Sequence, residues 1–409
     1  MVISRTFTLC VLSIFCIFSL PATGELIYPE VAAKFAQDKP SKVVCFGDSV
    51  TGVYYHTGGR RAYTDMVGIG LRQAYPNGDI TAINAGVSGN TTVDALARIK
   101  KDVLAHKPDL VTVMFGLNDM TRVSLEDYRA NLKNIIAKCR TVGAEVMLCT
   151  PNSIRDTASR PIATLEQYVA VVREVATEEK VPLADCYAAF EYIRTQNALD
   201  WAFLMSDPIH PNMDGHKLLA KTIVSTLVCE GRPGASVPAP QPAIPRTLDR
   251  IAAKKSLSIL AMPPYDTLLT KLLAEVAPGS AVTMMPWDVT GQSMTEIETA
   301  SKGVRGKGYE LVFIAVPATA SADTTEAFIN SYTWVLNNSL SFGYQEWDVF
   351  AVAPSLAAPL KGEETQHDAW QKRLIRAQDF ALIEGDGGSV EAAEAALRTW
   401  LRKQIAMGL

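Results

Sequence analysis

Short apolar runs alternate with longer amphipathic stretches through the first half of the chain. Residues 43–46, 80–84, 110–115, 146–149 and 181–184 read as strands, because short runs rich in Val, Ile, Leu and Phe suit a sheet buried on both faces. Residues 64–75, 92–104, 164–179 and 213–229 read as helices. From Leu125 onward, Leu125, Tyr128, Leu132, Ile135, Ile136 and Cys139 recur at helical spacing and give one apolar stripe for packing on a sheet. Strands alternating with helices predict an α/β fold: a parallel sheet covered on both faces and joined by right-handed crossovers.

The pattern then breaks. Residues 231–246 are rich in proline, which supports neither a helix nor a central strand, so they read as a semi-rigid linker. Beyond it the pattern returns in fainter form. Residues 257–262 form an apolar strand, 288–293 (DVTGQS) resembles 86–91 (GVSGNT), 309–314 (YELVFI) resembles 108–113 (PDLVTV), and 349–354 matches 146–151. Gly89 to Gly116 spans 27 residues and Gly291 to Pro317 spans 26, while the following intervals are 35 and 37. Element order and spacing agree although identity is low, which reads as a degenerate internal duplication. Two unrelated α/β units sharing generic strand patterns are the competing account. The expected organisation is residues 1–24 as a signal peptide, 25–230 as a catalytic domain, 231–246 as the linker and 247–409 as a smaller α/β domain without catalysis.

Composition narrows the class. The chain has 409 residues, 48% of them hydrophobic and 20% charged, enough for two cores. A formal net charge of -4 offers no basic field, which argues against nucleic acid as a partner. Arg5, the apolar run at 7–20 and the small residues Ala22, Thr23 and Gly24 have the layout of a cleaved secretory signal. That run is short for a bilayer span, so a secreted or periplasmic protein with no membrane span after cleavage is expected. Seven cysteines, two of them inside the signal, make no disulfide framework. Cys45 and Cys149 sit in strand-like runs and read as small buried hydrophobes. No closely spaced His/Cys cluster suggests a metal, and no cofactor is implied.

Candidate chemistry falls at the strand ends. Ser49 follows the first strand in Gly47-Asp48-Ser49, Gly89 lies in the loop after the second, and Asn118 lies in Gly116-Leu117-Asn118-Asp119 after the third. Asp207 and His210 occupy Asp207-Pro208-Ile209-His210-Pro211, before the last helix. In such sheets the loops at the carboxyl ends converge on one edge. A serine hydroxyl needs a neighbouring base, which a neutral imidazole supplies, and a carboxylate must hold that imidazole in one tautomer. The tetrahedral oxyanion needs preorganised donors, for which the N–H groups of Ser49 and Gly89 and the Asn118 side chain are candidates. Each also has a plainer role: Asn118 and Asp119 as helix caps, Gly89 as a turn glycine. His216 lies within a helix and is the weaker candidate base. Tyr54, Tyr55 and His56 either line the acyl or alcohol pocket or form an exposed loop.

These blocks resemble those of the SGNH (GDSL-type) hydrolases, over about residues 42–229. The four come in that family's order, with Val50 standing where the family often has leucine. The resemblance implies a flavodoxin-like three-layer sandwich with five parallel strands. It also implies a serine esterase in which Ser49, Gly89, Asn118 and His210 are the four named residues and Asp207 completes the triad. The second unit has Met262-Pro263-Pro264-Tyr265 in place of the serine block and Pro317-Ala318-Thr319-Ala320 in place of the asparagine block. Its sole histidine, His367, precedes its last apolar stretch. A secreted esterase of small acyl esters follows, with acetylated carbohydrate the favoured substrate. An acyl-thioesterase or lysophospholipase, or a non-catalytic carbohydrate-binding scaffold, remains the alternative.

Overall fold

The computed structural model describes residues 29–52, 54–228, 236–383 and 387–408. The expected signal at 1–24, the start of the linker, and Cys229 lie outside the described residues. Five parallel strands form the first sheet: β1 (Pro40–Gly47), β2 (Asp79–Gly86), β3 (Leu110–Met114), β4 (Glu145–Cys149) and β5 (Leu183–Ala184), in the order β2-β1-β3-β4-β5. Central β3 is buried along its whole length, as a strand covered on both faces must be. β5 is shorter than the apolar run at 181–184 suggests. Pro182 has no N–H to give a neighbour, and only its carbonyl joins the sheet, accepting from Leu148 N at 2.9 Å.

Helices Tyr63–Ala74 and Met213–Leu227 pack together, while Thr92–Asp102, Leu125–Arg140 and Ile162–Glu178 pack in succession, giving the two outer layers. The periodic stripe behaves as expected: Tyr128, Leu132, Ile135, Ile136 and Cys139 are all buried, and Ser124 caps the helix by accepting from Asp127 N. Two helices in the return to the site carry no strong periodicity and escape the sequence pattern: Cys186–Gln196 and Ala198–Ala202.

Four further parallel strands make a second sheet: β6 (Leu257–Ala261), β7 (Val282–Pro286), β8 (Leu311–Ile314) and β9 (Asp348–Ala351), ordered β7-β6-β8-β9. It has a hydrophobic core of its own, built around Tyr265, Phe313, Phe328, Tyr332 and Phe350. The chain entering it does not hang free. Val237 belongs to the first core, Gln73 Nε2 and Arg61 Nη1 donate to the carbonyls of Ser236 and Pro238 at 2.8 and 2.7 Å, and a helix already begins at Pro245.

The two units touch directly. Phe203 of the first joins the core of the second, and Arg373 reaches Asp200 at 3.0 Å. Arg60 donates to Gln378 O at 2.7 Å, and Lys217 pairs with Asp379. On the side of the first sheet's carboxyl edge, Asn337 Nδ2 donates to Ser206 O at 3.2 Å and Gln345 N to Gly59 O at 3.2 Å.

Candidate active site

β1 ends at Gly47, and the chain turns at once into the short helix Ser49–Gly52. The turn is too tight for any side chain at Gly47: a Cβ there would stand 2.0 Å from Thr51 Oγ1 and 2.7 Å from Met114 O. The helix then lies on the end of β2 through a glycine pair, since a Cβ on Gly52 or Gly86 would fall 2.3 or 2.2 Å from the other's backbone. Ser49 is thereby held at the carboxyl edge of the sheet.

The loop 206–211 brings His210 to the same edge. Asp207 Oδ1 accepts from the N–H groups of Ile209 and His210 at 2.8 and 2.7 Å, and Ser206 N donates to His210 O at 2.8 Å. Residues after β4 brace this loop: Arg155 N donates to Pro208 O and the buried Asn152 side chain to Ile209 O, at 2.8 and 2.9 Å. Asp207 Oδ2 lies 2.8 Å from His210 Nδ1, and His210 Nε2 lies 2.9 Å from Ser49 Oγ. Burial works against the ionised Asp207, but hydrogen bonds from His210 Nδ1 and the Ile209 N–H outweigh it. The carboxyl is held well below the usual range. With Asp207 ionised, Nδ1 carries the proton and Nε2 presents its lone pair to the serine hydroxyl.

His216 is spatially separate from this line. It is buried, its Nδ1 accepts from Tyr63 N at 3.0 Å, and burial pushes its pKa down to about 3, so it is a neutral core histidine.

Gly89 has φ +76°, and no heavy atom stands within 4 Å of where a Cβ would be. Glycine is needed there for its left-handed backbone, not for want of room. Asn118 Nδ2 donates to Asn90 O at 3.1 Å and, at a long 3.4 Å, to Asp48 Oδ2. That long bond is the one a developing oxyanion can take over. Asp119 ties its loop back to the start of the preceding helix Thr92–Asp102, accepting from Thr92 N and Oγ1 at 2.8 and 2.6 Å.

Two residues of the site take roles that the sequence does not reveal. Arg98, on the helix Thr92–Asp102, sends Nη2 to Gly47 O and Nη1 to Ala85 O, both at 2.8 Å, and Nε to Asn90 Oδ1 at 2.7 Å. It lies over the Phe46 ring, 4.6 Å from the centroid. One guanidinium thus joins the ends of β1 and β2 to the loop of Gly89. Helical spacing reveals only its pair with Asp102 at 3.1 Å; the bonds to Gly47 O, Ala85 O and Asn90 Oδ1 follow from the fold. Arg122 donates to Gly89 O from the opposite side.

His56 is the second. It belongs to neither the exposed loop nor the open pocket wall: it is 1% exposed, and its ring stacks on His210 with centroids 4.2 Å apart and planes 21° apart. Nδ1 lies 3.0 Å from Ser206 Oγ and Nε2 3.7 Å from Asp207 Oδ2. Burial and the neighbouring His210 hold its pKa well below the ordinary value, so it stays uncharged. Tyr54 is half-buried, its hydroxyl 3.2 Å from Asn84 Nδ2 and its ring 4.9 Å from that of Tyr344, whereas the Tyr55 side chain lies outside the described residues.

His56, Asp207 and His210 place ligand atoms within 4.8 Å of one another, a cluster the sequence conceals because His56 is far from the other two. Near-parallel stacking sends the in-plane lone pairs of the two rings side by side, whereas a metal needs them convergent. The hydrogen-bonded line in this cluster runs from Asp207 through His210 to Ser49, an arrangement able to draw a proton from the hydroxyl. The four described cysteines, Cys45, Cys139, Cys149 and Cys186, are free and buried, and burial raises the Cys45 thiol to about 11.

The first unit is similar to known proteins. The GDSL-like Lipase/Acylhydrolase family profile matches residues 45–218, ending before the second sheet begins. An acetylxylan esterase of Geobacillus stearothermophilus is 36% identical over 172 residues, covering 38% of this chain and 76% of that protein. Thioesterase 1/protease 1/lysophospholipase L1 of Escherichia coli (strain K12) is 28% identical over 148 residues, covering 36% of this chain and 67% of that protein. The crystal structure of a Geobacillus stearothermophilus acetylxylan esterase is 31% identical, covering 46% of this chain and 95% of that one, with a TM-score of 0.41. The chain belongs to the GDSL-like lipase/acylhydrolase, or SGNH, family. It is a carboxylic ester hydrolase. Among the described residues, no helix is long and apolar enough to cross a membrane.

Proposed function

We propose that the protein removes small acyl groups, acetyl above all, from carbohydrate esters after export, by an acyl-enzyme mechanism at Ser49. The observation that carries the mechanism is the unbroken line from Asp207 Oδ2 through His210 to Ser49 Oγ, at 2.8 and 2.9 Å. Ser49 Oγ attacks the ester carbonyl carbon while His210 Nε2 takes its proton. The carbonyl oxygen becomes an oxyanion that accepts from Ser49 N, Gly89 N and Asn118 Nδ2, each such donor contributing about 3 kcal/mol. The C–O bond then breaks, and His210 returns the proton to the departing sugar hydroxyl. Water, deprotonated by the same imidazole, attacks the acyl-serine and releases the carboxylic acid.

The carbohydrate reading is supported by the acetylxylan esterase relative. Residues 247–409 are read as a degenerate copy that has lost catalysis. The strand order β7-β6-β8-β9 parallels β2-β1-β3-β4, and Gly291 shares the left-handed φ of Gly89 at +71° against +76°. A Ser293/Glu296 capping box follows as Thr91/Asp94 does in the first unit. Its histidine is used otherwise: His367 Nδ1 lies 2.8 Å from Ala318 O and its ring stacks on Phe328.

The test is a panel of acetylated oligosaccharides and of acyl esters and thioesters of rising chain length, with Ser49→Ala beside the wild type. Release of acetate from sugars, fluorophosphonate labelling of Ser49, and loss of both in the variant at unchanged melting temperature are expected. Cleavage of long acyl chains alone would transfer the reading to a thioesterase or lysophospholipase. Full activity of Ser49→Ala would remove the mechanism.

A further inference from the structure

Phe342 and Tyr344 are 66% and 72% exposed, the highest values among the large hydrophobic side chains of the described residues. Both lie in one short segment of the second unit. That segment is fixed from behind: Arg305 donates to Leu340 O at 2.9 Å and to Asn337 O at 2.5 Å, and Arg246 Nε donates to Gln345 O at 2.8 Å. Gln345 Nε2 is bonded to the buried Asp348 at 2.7 Å, and the Arg305 guanidinium sits 5.5 Å from the Phe342 ring centroid.

The segment is also fixed to the active-site edge of the first unit. Gln345 N donates to Gly59 O, and a Cβ on Gly59 would lie 2.2 Å from that nitrogen. The Tyr344 ring stands 4.9 Å from that of Tyr54, tilted by 30°. Tyr54 OH accepts from Asn84 Nδ2 at 3.2 Å, and the same amide donates to Thr51 O, in the helix that Ser49 opens. The turn at 54–59 therefore carries His56 against His210 on one side and the Tyr344 segment on the other.

Rings left exposed on a segment that is bonded to the turn following the Ser49 helix form a candidate binding surface. We propose that Tyr344 and Phe342, with Tyr54, form a platform on which the second unit receives a pyranose ring of the substrate while its ester reaches Ser49. A pyranose with equatorial hydroxyls turns a face of C–H groups toward the negative face of an aromatic ring and keeps its hydroxyls at the rim. The tyrosine hydroxyls at the edge suit that rim. This inference rests on the carbohydrate reading above and adds that the second unit contributes to specificity.

The experiment compares full-length wild type, Tyr344→Ala, Phe342→Ala, the double variant and Tyr344→Trp on acetylated xylo-oligosaccharide and on 4-nitrophenyl acetate. In the double variant the ratio of kcat/KM for the oligosaccharide to that for the small ester is expected to fall about tenfold, chiefly through KM, as two lost stacking contacts imply. Tyr344→Trp retains the ratio. An unchanged ratio in a wild-type background that does deacetylate the oligosaccharide overturns the platform alone. A wild type that hydrolyses 4-nitrophenyl acetate but no acetylated sugar overturns the carbohydrate reading, and the platform with it.

Discussion

The proposed nucleophile depends on side chains that never touch it. Arg98 holds Gly47 O, Ala85 O and Asn90 Oδ1 in one plane of donors, so it sets the spacing between the turn of Ser49 and the loop of Gly89. Arg98→Met removes those bonds while preserving the aliphatic stem over Phe46. Displacement of donors by about 1 Å costs on the order of a hundredfold in rate. The expected result is a fall in kcat of that order on 4-nitrophenyl acetate, with KM little altered and the circular dichroism spectrum retained. Arg98→Lys should recover only part, because an ammonium cannot address three acceptors in a plane. Wild-type kcat in Arg98→Met would show that the loops hold their spacing unaided. At this scale the sequence is informative where chemistry dictates residue type. Ser49, Gly89 and Asn118 follow β1, β2 and β3, and Asp207 and His210 lie in the loop before the helix Met213–Leu227. Arg98 and His56 are illegible because their meaning lies in carbonyls and rings that only the fold brings near. In isolation Arg98 is a helical surface arginine and His56 a loop histidine.

Between elements, the turn at 54–59 is the most constrained piece of chain. Gly59 has φ +72° and lies against the backbone of Gln345, whereas Gly143, at φ +78°, has nothing within 4 Å. Both need the left-handed region, which costs a residue with a Cβ about 1 to 2 kcal/mol. Gly143→Ala therefore measures the conformational cost alone. Gly59→Ala adds a clash with a backbone that is itself pinned, and must push the Tyr344 segment away. Chemical denaturation should find Gly59→Ala less stable than Gly143→Ala, and protease should open the junction at 236–245 sooner in the former. Equal behaviour would mean the two units separate at no cost. Periodicity reveals elements that alternate cleanly between buried and wet, such as Leu125–Arg140, and the short buried strands of the first sheet. It is silent on β7, an edge strand with no residue fully buried, and on the short helices Cys186–Gln196 and Ala198–Ala202, whose form is dictated by the return path to the site. The fold of one unit is thus readable from its own residues, but the contact between units is not.

Across the whole molecule, buried titratable groups of opposite tendency set the response to pH. His56 and His216 are held neutral, the latter with its pKa near about 3. In the unfolded chain each binds a proton below about 6.5, so their burial contributes stability that is present above that pH and is lost as pH falls. Asp48 and Asp348 act in the other direction. Burial raises them to about 7 and about 6, so the folded state holds protons there that the unfolded chain releases above about 3.9. Their contribution is full below that pH and fades as pH rises through their folded values. Each group changes stability by about 1.4 kcal/mol per pH unit within its window. Between about pH 4 and 6 the two histidine losses meet the gains of Asp48 and Asp348, to which the buried Asp119 and Asp379, also raised by burial, add, so the slopes oppose one another. Below about pH 4 the carboxylate contributions level off while the histidine losses continue. Asp207, depressed in the fold, adds a further loss as it takes up its proton. The melting temperature is expected to show no decline from about pH 6 to 4.5 and to drop steeply below about 4. Replacing His216 by glutamine, which can still accept from Tyr63 N, should reduce the acid slope by about one proton. A steady decline from pH 7 downward, unaltered in His216→Gln, would mean that these histidines are protonated in the folded protein and that the compensation does not operate.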